Sequence, residues 1–374
     1  MFCFSDYARN FMELTNRARA ELRNALIRSS GVYVFVPTND AMQAIGYRYE
    51  NYTNNQSIIN MVVEMSLIQT YQNVLLTDYS GNYESFRTVR SRFNDQLVKI
   101  YTVGDDTWVE GGYVKARVVK PNIGCTNGIV HHIDAVFGVP TRDMPYTIYC
   151  EDWLVSTIIQ LQFVGLASYM RDPTLQGNRR CENSASARSG VSDKFDVTDG
   201  DTDLCGDTER TCEFTFFVPN GTAIDNFGRT THGRAIMQNR GRWRWVLQRL
   251  LTFREVIYLD GLAPGQQRVM YSDNGDEVII TTDERGNNSS GHTSDITNAT
   301  FVLFEGVRAK VIHSDIGATN GVIHIIDSVL FVNDDLTRSA GSVSSQATSL
   351  LVLLLLTFSQ AVWWMGRKLD GRWN

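Results

Sequence analysis

The chain reads as an α+β protein built from two similar domains in tandem. A twelve-residue pattern occurs twice, as Ile-Gly-Cys-Thr-Asn-Gly-Ile-Val-His-His-Ile-Asp at 123–134 and Ile-Gly-Ala-Thr-Asn-Gly-Val-Ile-His-Ile-Ile-Asp at 316–327. Such a repeat marks a duplicated supersecondary unit. The surroundings repeat too: helical spacing comes first, then a short apolar strand closed by proline, and the repeated pattern comes last. Finally, 374 residues suffice for two domains of ordinary size.

In order, residues 5–30 place Tyr7, Phe11, Leu14, Ala18, Leu22, Ala25 and Leu26 at helical spacing. Val32 to Val36 is a short buried strand stopped by Pro37, and Thr38 is a good N-cap for a following helix. In the second copy Trp153 to Met170 has helical spacing, Cys212 to Val218 is a strand stopped by Pro219, and Asn220 takes the cap position. Between that helix and strand lies a polar insertion, about residues 171–210, which reads as a loop. Val278–Ile280, Thr300–Leu303 and Ala309–Ile312 read as later strands. Helices first and strands later define α+β domains.

Within the repeat, Asn127-Gly128 and Asn320-Gly321 predict tight hairpin turns with positive φ at both central residues. The strand after each turn alternates, so Ile129, His131 and Ile133 share a face, as do Val322, His324 and Ile326. His131, His132 and Asp134 invite comparison with a metal or acid–base site. Against this, His132 is Ile325 in the second copy, and alternation turns His131 and His132 to opposite faces. We therefore read the repeated histidines as half-buried scaffold and expect no enzyme, cofactor or metal. No Gly-rich phosphate loop, nucleophile elbow or His-Glu-x-x-His helix occurs.

A net charge of −6 argues against nucleic acid as the main partner. Of six cysteines, Cys181, Cys205 and Cys212 fall in or beside the polar insertion, the pattern of loop stapling in an oxidising compartment. Asn-x-Ser/Thr triplets at Asn51, Asn55, Asn287, Asn288 and Asn298 read as glycosylated surface loops. Asn220 also starts a triplet, but as a helix cap it is expected to be poorly glycosylated.

The segment 336–374 is a Ser-rich lead-in followed by a hydrophobic stretch. Small residues Ser339, Ala340 and Gly341, a polar spacer and the apolar run from Leu350 form a lipid-anchor (GPI) attachment pattern. The alternative is a single C-terminal membrane-spanning helix stopped by Arg367 and Lys368. Residues 1–25 hold no secretory signal, so the chain is expected to be a piece of a longer extracellular protein.

Val34-Phe35-Val36-Pro37-Thr38-Asn39-Asp40-Ala41 and Thr126 to Asp134 resemble the two signature motifs of the fasciclin domain. Phe217-Val218-Pro219-Asn220 and Thr319 to Asp327 match in the second copy. The resemblance covers about 4–140 and 147–335. It implies two tandem fasciclin-like domains, each a wedge of two β-sheets with several helices, and an extracellular adhesion role. It also assigns the structural motif residues Pro37, Thr38, Asn127, Gly128, His131, Asp134, Pro219, Asn320, Gly321, His324 and Asp327. Insect members with four such domains and a lipid anchor are similar to this chain through their last two domains and tail.

The expected partners are cell-surface or matrix proteins, including a second copy of the chain, and the membrane through the tail. In matrix members an Asp-Ile pair before the late motif is implicated in integrin binding. Asp315-Ile316 occupies that place, whereas the first copy has Asn122-Ile123. The competing reading, which we prefer, packs Ile316 in the core with Asp315 in a turn. The family's Tyr-His motif is eroded to Tyr71-Gln72 and Phe253-Arg254. Arg229, Arg234, Arg240, Arg242, Arg244 and Arg249, with Trp243 and Trp245 interleaved, could bind sulfated polysaccharide. The plainer reading, a solvated helix face with the tryptophans turned inward, is favoured.

Overall fold

The computed structural model describes residues 6–45, 54–69, 76, 86–171, 213–253, 255–283 and 299–337. Asn51, Asn287, Asn288, Asn298, nearly all of the polar insertion, the anchor residues Ser339, Ala340 and Gly341, and the apolar tail lie outside them.

The first domain begins with α1 (Arg9–Arg17) and α2 (Ala20–Arg28), where the spacing predicts one helix. The break at Ala18 and Arg19 is extended backbone. It is held from outside: the Arg19 N–H donates to Asn60 Oδ1 at 3.0 Å and its guanidinium pairs with Glu64. Strand β1 (Val32–Pro37) follows, then α3 (Asn39–Ala44) and α4 (Gln56–Ser66). Six strands complete the domain: β2 (Leu67–Gln69), β3 (Arg87–Ser91), β4 (Leu97–Val103), β5 (Asp106–Gly111), β6 (Val114–Cys125) and β7 (Gly128–Ile133). They form a closed barrel in sequence order, shut by parallel pairing of β7 on β1. One core lies between helices and barrel, around Phe11, Leu22, Val34 and Val130. Another fills the barrel, around Phe35, Ile100, Ile133 and Phe137.

The second domain opens with α5 (Met144–Tyr149), α6 (Val155–Val164) and α7 (Leu166–Tyr169). The last two, again one helix by spacing, are split by Gly165 at φ 78°. The left-handed residue ends α6, and the Arg244 guanidinium donates to the Val164 carbonyl at the helix end at 3.1 Å. After β8 (Phe214–Pro219) come α8 (Gly221–Arg229), α9 (Thr231–Met237) and α10 (Arg240–Gln248). The strands are β9 (Leu251–Phe253), β10 (Gln267–Tyr271), β11 (Glu277–Thr282), β12 (Thr300–Phe304), β13 (Val307–Ala318) and β14 (Gly321–Ile326). Their order is β10-β11-β12-β13-β14-β8-β9. The long β13 pairs with β12 on one side and β14 on the other, joining the seven strands into one sheet. Every residue of β8 is buried, so its run Phe-Thr-Phe-Phe-Val-Pro does not alternate.

The two signature segments of each domain are neighbours in space. Val32 to Pro37 pairs with Gly128 to Ile133, and Phe214 to Pro219 with Gly321 to Ile326, both in parallel.

Candidate functional site

The hairpin turns differ from the sequence expectation. Cys125 pairs with Gly128 and Ala318 with Gly321, so the central residues are Thr126-Asn127 and Thr319-Asn320. Neither asparagine has positive φ. The glycines are required for another reason. A Cβ on Gly128 would lie 1.8 Å from the Val32 carbonyl oxygen, and one on Gly321 would lie 2.0 Å from that of Phe214. The parallel neighbour strand passes too close for any side chain.

The asparagines are clamps. Asn127 Nδ2 donates to the Leu26 and Ser29 carbonyls at the end of α2, at 2.8 and 3.2 Å. Asn320 Nδ2 donates to Met170 O at 2.6 Å, and its Oδ1 accepts from the Met144 N–H at 2.9 Å. The closing aspartates repeat one another as well. Asp134 Oδ1 accepts from the Arg117 N–H, and Asp327 Oδ1 from the Lys310 N–H, at 2.6 and 2.9 Å. Beyond Pro37 and Pro219, the Thr38 and Asn220 side chains accept from the Ala41 and Ala223 N–H groups at 3.1 and 2.7 Å, capping α3 and α8. Asn55 is likewise a cap, of α4, and it is exposed.

Each repeated histidine faces a β-bulge. The pairings of β6 with β7 and of β13 with β14 both shift register, and the bulges carry Asn122 at φ 57° and Asp315 at φ 63°. The Asn122 N–H donates to His131 Nδ1 at 3.0 Å, and the Asp315 N–H to His324 Nδ1 at 3.1 Å. His324 Nε2 then lies 2.8 Å from the Ile257 carbonyl, which assigns its proton to Nε2. Burial lowers the pKa of His324, although Asp315 and the Ile257 bond act the other way. A neutral imidazole with both nitrogens bonded holds the bulge in place. His132 is also buried and has a lowered pKa, from burial first and Lys120 second. Among the described residues no group of His, Cys, Asp or Glu could hold a metal.

The bulge side chains, which the sequence contrasts as amide and acid, do one job. Asn122 Oδ1 accepts from the Leu76 N–H at 3.0 Å, and Asp315 Oδ1 from the Leu259 N–H at 2.7 Å. Both residue types tolerate the left-handed conformation, and both offer the acceptor. The Asp315 side chain is 9% exposed and Ile316 is buried in the core of the second domain.

The basic run divides in three. Trp243 is fully buried, with its indole N–H on Gln160 Oε1 at 3.0 Å. Arg249 is buried against Asp276 and Asp335, both at 2.7 Å, and its guanidinium lies 4.0 Å over the Phe304 ring. It leaves the candidate polyanion surface. Arg229, Arg234 and Arg240 are exposed.

Sequence reasoning missed the junction between the domains. Gly112 and Tyr113, at φ 57° and 63°, form the tip between β5 and β6 and present Tyr113 to the second domain. The ring stacks on Tyr258 with centroids 4.3 Å apart, and the hydroxyl donates to Asp260 at 2.7 Å. The Tyr113 carbonyl accepts from the Gly317 N–H at 2.7 Å. Nearby, Lys115 pairs with Glu151 at 2.9 Å, and His313 meets Glu110 at 3.1 Å while stacking on Trp153. Burial pushes the Glu110 carboxyl up, but His313, Lys99 and the Tyr101 hydroxyl bring it down to about 2. Two glycines in sequence before Tyr113 were the available signal.

Fold and site together define a tandem pair of modules whose repeated motif is internal framework. The fasciclin-domain family model matches residues 7–140 and 184–332, and the chain belongs to that family. It is 25% identical over 232 residues to Fasciclin-1 of Schistocerca americana, covering 61% of this chain and 28% of that protein. It is 22% identical over 343 residues to Fasciclin-1 of Drosophila melanogaster, covering 86% of this chain and 43% of that protein. The chain thus spans less than half the length of these relatives. In fold it is similar to a solved FAS1 domain pair from the insect cell adhesion molecule fasciclin I. The TM-score is 0.56 at 16% identity, over 88% of this chain and 98% of that one.

Proposed function

We propose that this chain is a non-catalytic cell-adhesion protein, acting through contacts with a second copy or with another cell-surface protein. The observation that carries this reading is the occupation of the repeated motif. Its asparagines and histidines bond inward and its aspartates are taken up by neighbouring strand amides, which leaves adhesion to the outer faces of two coupled domains. The adhesion role of the solved relative supports it. The lipid-anchor pattern at Ser339, Ala340 and Gly341, with a spanning helix as alternative, supports a position at the outer face of the plasma membrane. Triplets at Asn51, Asn55, Asn287, Asn288 and Asn298 support glycosylation. Disulfide stapling is supported by Cys150, which is disulfide-bonded. Exposed Arg229, Arg234 and Arg240 support a sulfated polysaccharide as an additional partner.

Integrin recognition through Asp315-Ile316 is the runner-up. It would require Asp315 to leave its bond to Leu259.

The test is a mixed-cell assay. Non-adherent cells displaying the chain are combined with labelled cells lacking it. Clusters of displaying cells alone indicate self-adhesion, mixed clusters indicate another surface protein, and no clusters defeat the reading. Release of the full-length protein by a phosphatidylinositol-specific phospholipase separates anchor from span.

A further inference from the structure

The second domain carries an arginine-edged groove on its helical side, away from the repeated motif. It has a volume of about 340 Å³ and is lined by Gln160 and Phe163 of α6, Gly228 of α8, and Arg234, Met237 and Gln238 beside and within α9. Phe163 is 47% exposed and Ile159, one turn earlier, 43%. Gly228 keeps the groove open, since a Cβ there would stand 3.2 Å from the Met237 sulfur. Arg234 lines it and Arg229 follows Gly228 on α8; both are exposed, and no ion pair engages either among the described residues. Asp225, also exposed on α8, is the nearest acid in sequence. An apolar floor with a cationic edge calls for an apolar side chain flanked by carboxylates.

The first domain presents such a group. The turn between β4 and β5 is Gly104-Asp105, with Gly104 at φ 61° and nothing within 4 Å of its Cβ position, so the tip stands clear. Val103 beside it is 54% exposed. Asp105 is exposed, and Asp106 lies 3.7 Å from a partly exposed Arg117, a loose pairing that solvent screens.

We propose that the Val103–Asp106 tip of one copy seats in the α6–α8–α9 groove of another, with Val103 against Phe163 and Met237 and the aspartates against Arg234 and Arg229. The contact joins two different surfaces, so it adds copies in rows rather than closing on a pair. Each contact is small and gains strength by repetition across a surface. This inference rests on the self-adhesion arm of the proposed function.

The test is a charge exchange on beads coated with the full chain. Variant one carries Arg229→Glu and Arg234→Glu; variant two carries Asp105→Arg and Asp106→Arg. All four positions lie at the surface, and unchanged melting confirms folding. Each variant alone is expected to lose clustering by tenfold or more, and the two mixed are expected to cluster with one another. Gly228→Gln, which fills the groove, should also abolish clustering. Self-clustering that neither variant weakens overturns the inference and leaves self-adhesion standing. Loss in variant one without rescue by variant two assigns the groove to another occupant and also overturns it. Wild-type beads that never cluster remove the self-adhesion reading and this inference together.

Discussion

Replacing Asp315 separates an architectural residue from a recognition residue. Asp315→Ala removes the acceptor for the Leu259 N–H and leaves that buried donor unpaired, which costs about 1–3 kcal/mol. It also puts alanine at φ 63°, which adds about 1–2 kcal/mol. The sum, roughly 2–5 kcal/mol, corresponds to a fall of about 5–15 °C in the melting temperature of the second domain. Asp315→Asn keeps both the acceptor and the tolerance for the left-handed conformation, as Asn122 does in the first domain. It is expected to stay within about 1 kcal/mol of wild type. Calorimetry and urea denaturation of the three proteins provide the measurement. Asn as costly as Ala, or Ala without cost, would refute the shared role of Asn122 and Asp315.

Other consequences follow from the same geometry. Gly128→Ala or Gly321→Ala drives a methyl into the neighbouring carbonyl and should cost at least about 4 kcal/mol, read as loss of folded protein in thermal melts. Glu110 has a folded-state pKa below its ordinary 4.5, so its stabilising contribution is present above that pH and lost as pH falls toward about 2. Because His313 belongs to the other domain, small-angle scattering should show the domains loosening across this window, and Glu110→Gln should look loosened already at pH 7. Asn220, with its side chain on the Ala223 N–H, should be recovered without glycan in peptide mapping; full occupancy would contradict its role as a cap.

Local chemistry was readable from the chain, and non-local chemistry was not. Pro37 and Pro219 end their strands and Thr38 and Asn220 cap their helices because those preferences act within four residues. The split at Arg19 was hidden because its cause, Asn60 and Glu64, lies on another helix. Gly128 and Gly321 looked like turn residues, yet their reason is a strand distant in sequence. Asn122 against Asp315 looked like a functional divergence. Only the bulge conformation and the paired Leu76 and Leu259 amides show the two side chains to be equivalent. Arg249 resembled its exposed neighbours until its carboxylates, Asp276 and Asp335, were brought beside it by the fold.

On the proposed reading the repeated motif is framework and adhesion belongs to the outer surfaces. Bead clustering by the wild-type chain and by Asp315→Asn, measured side by side, tests this most directly. Equal clustering by both is the predicted result. Clustering by wild type that Asp315→Asn abolishes while melting unchanged would contradict it.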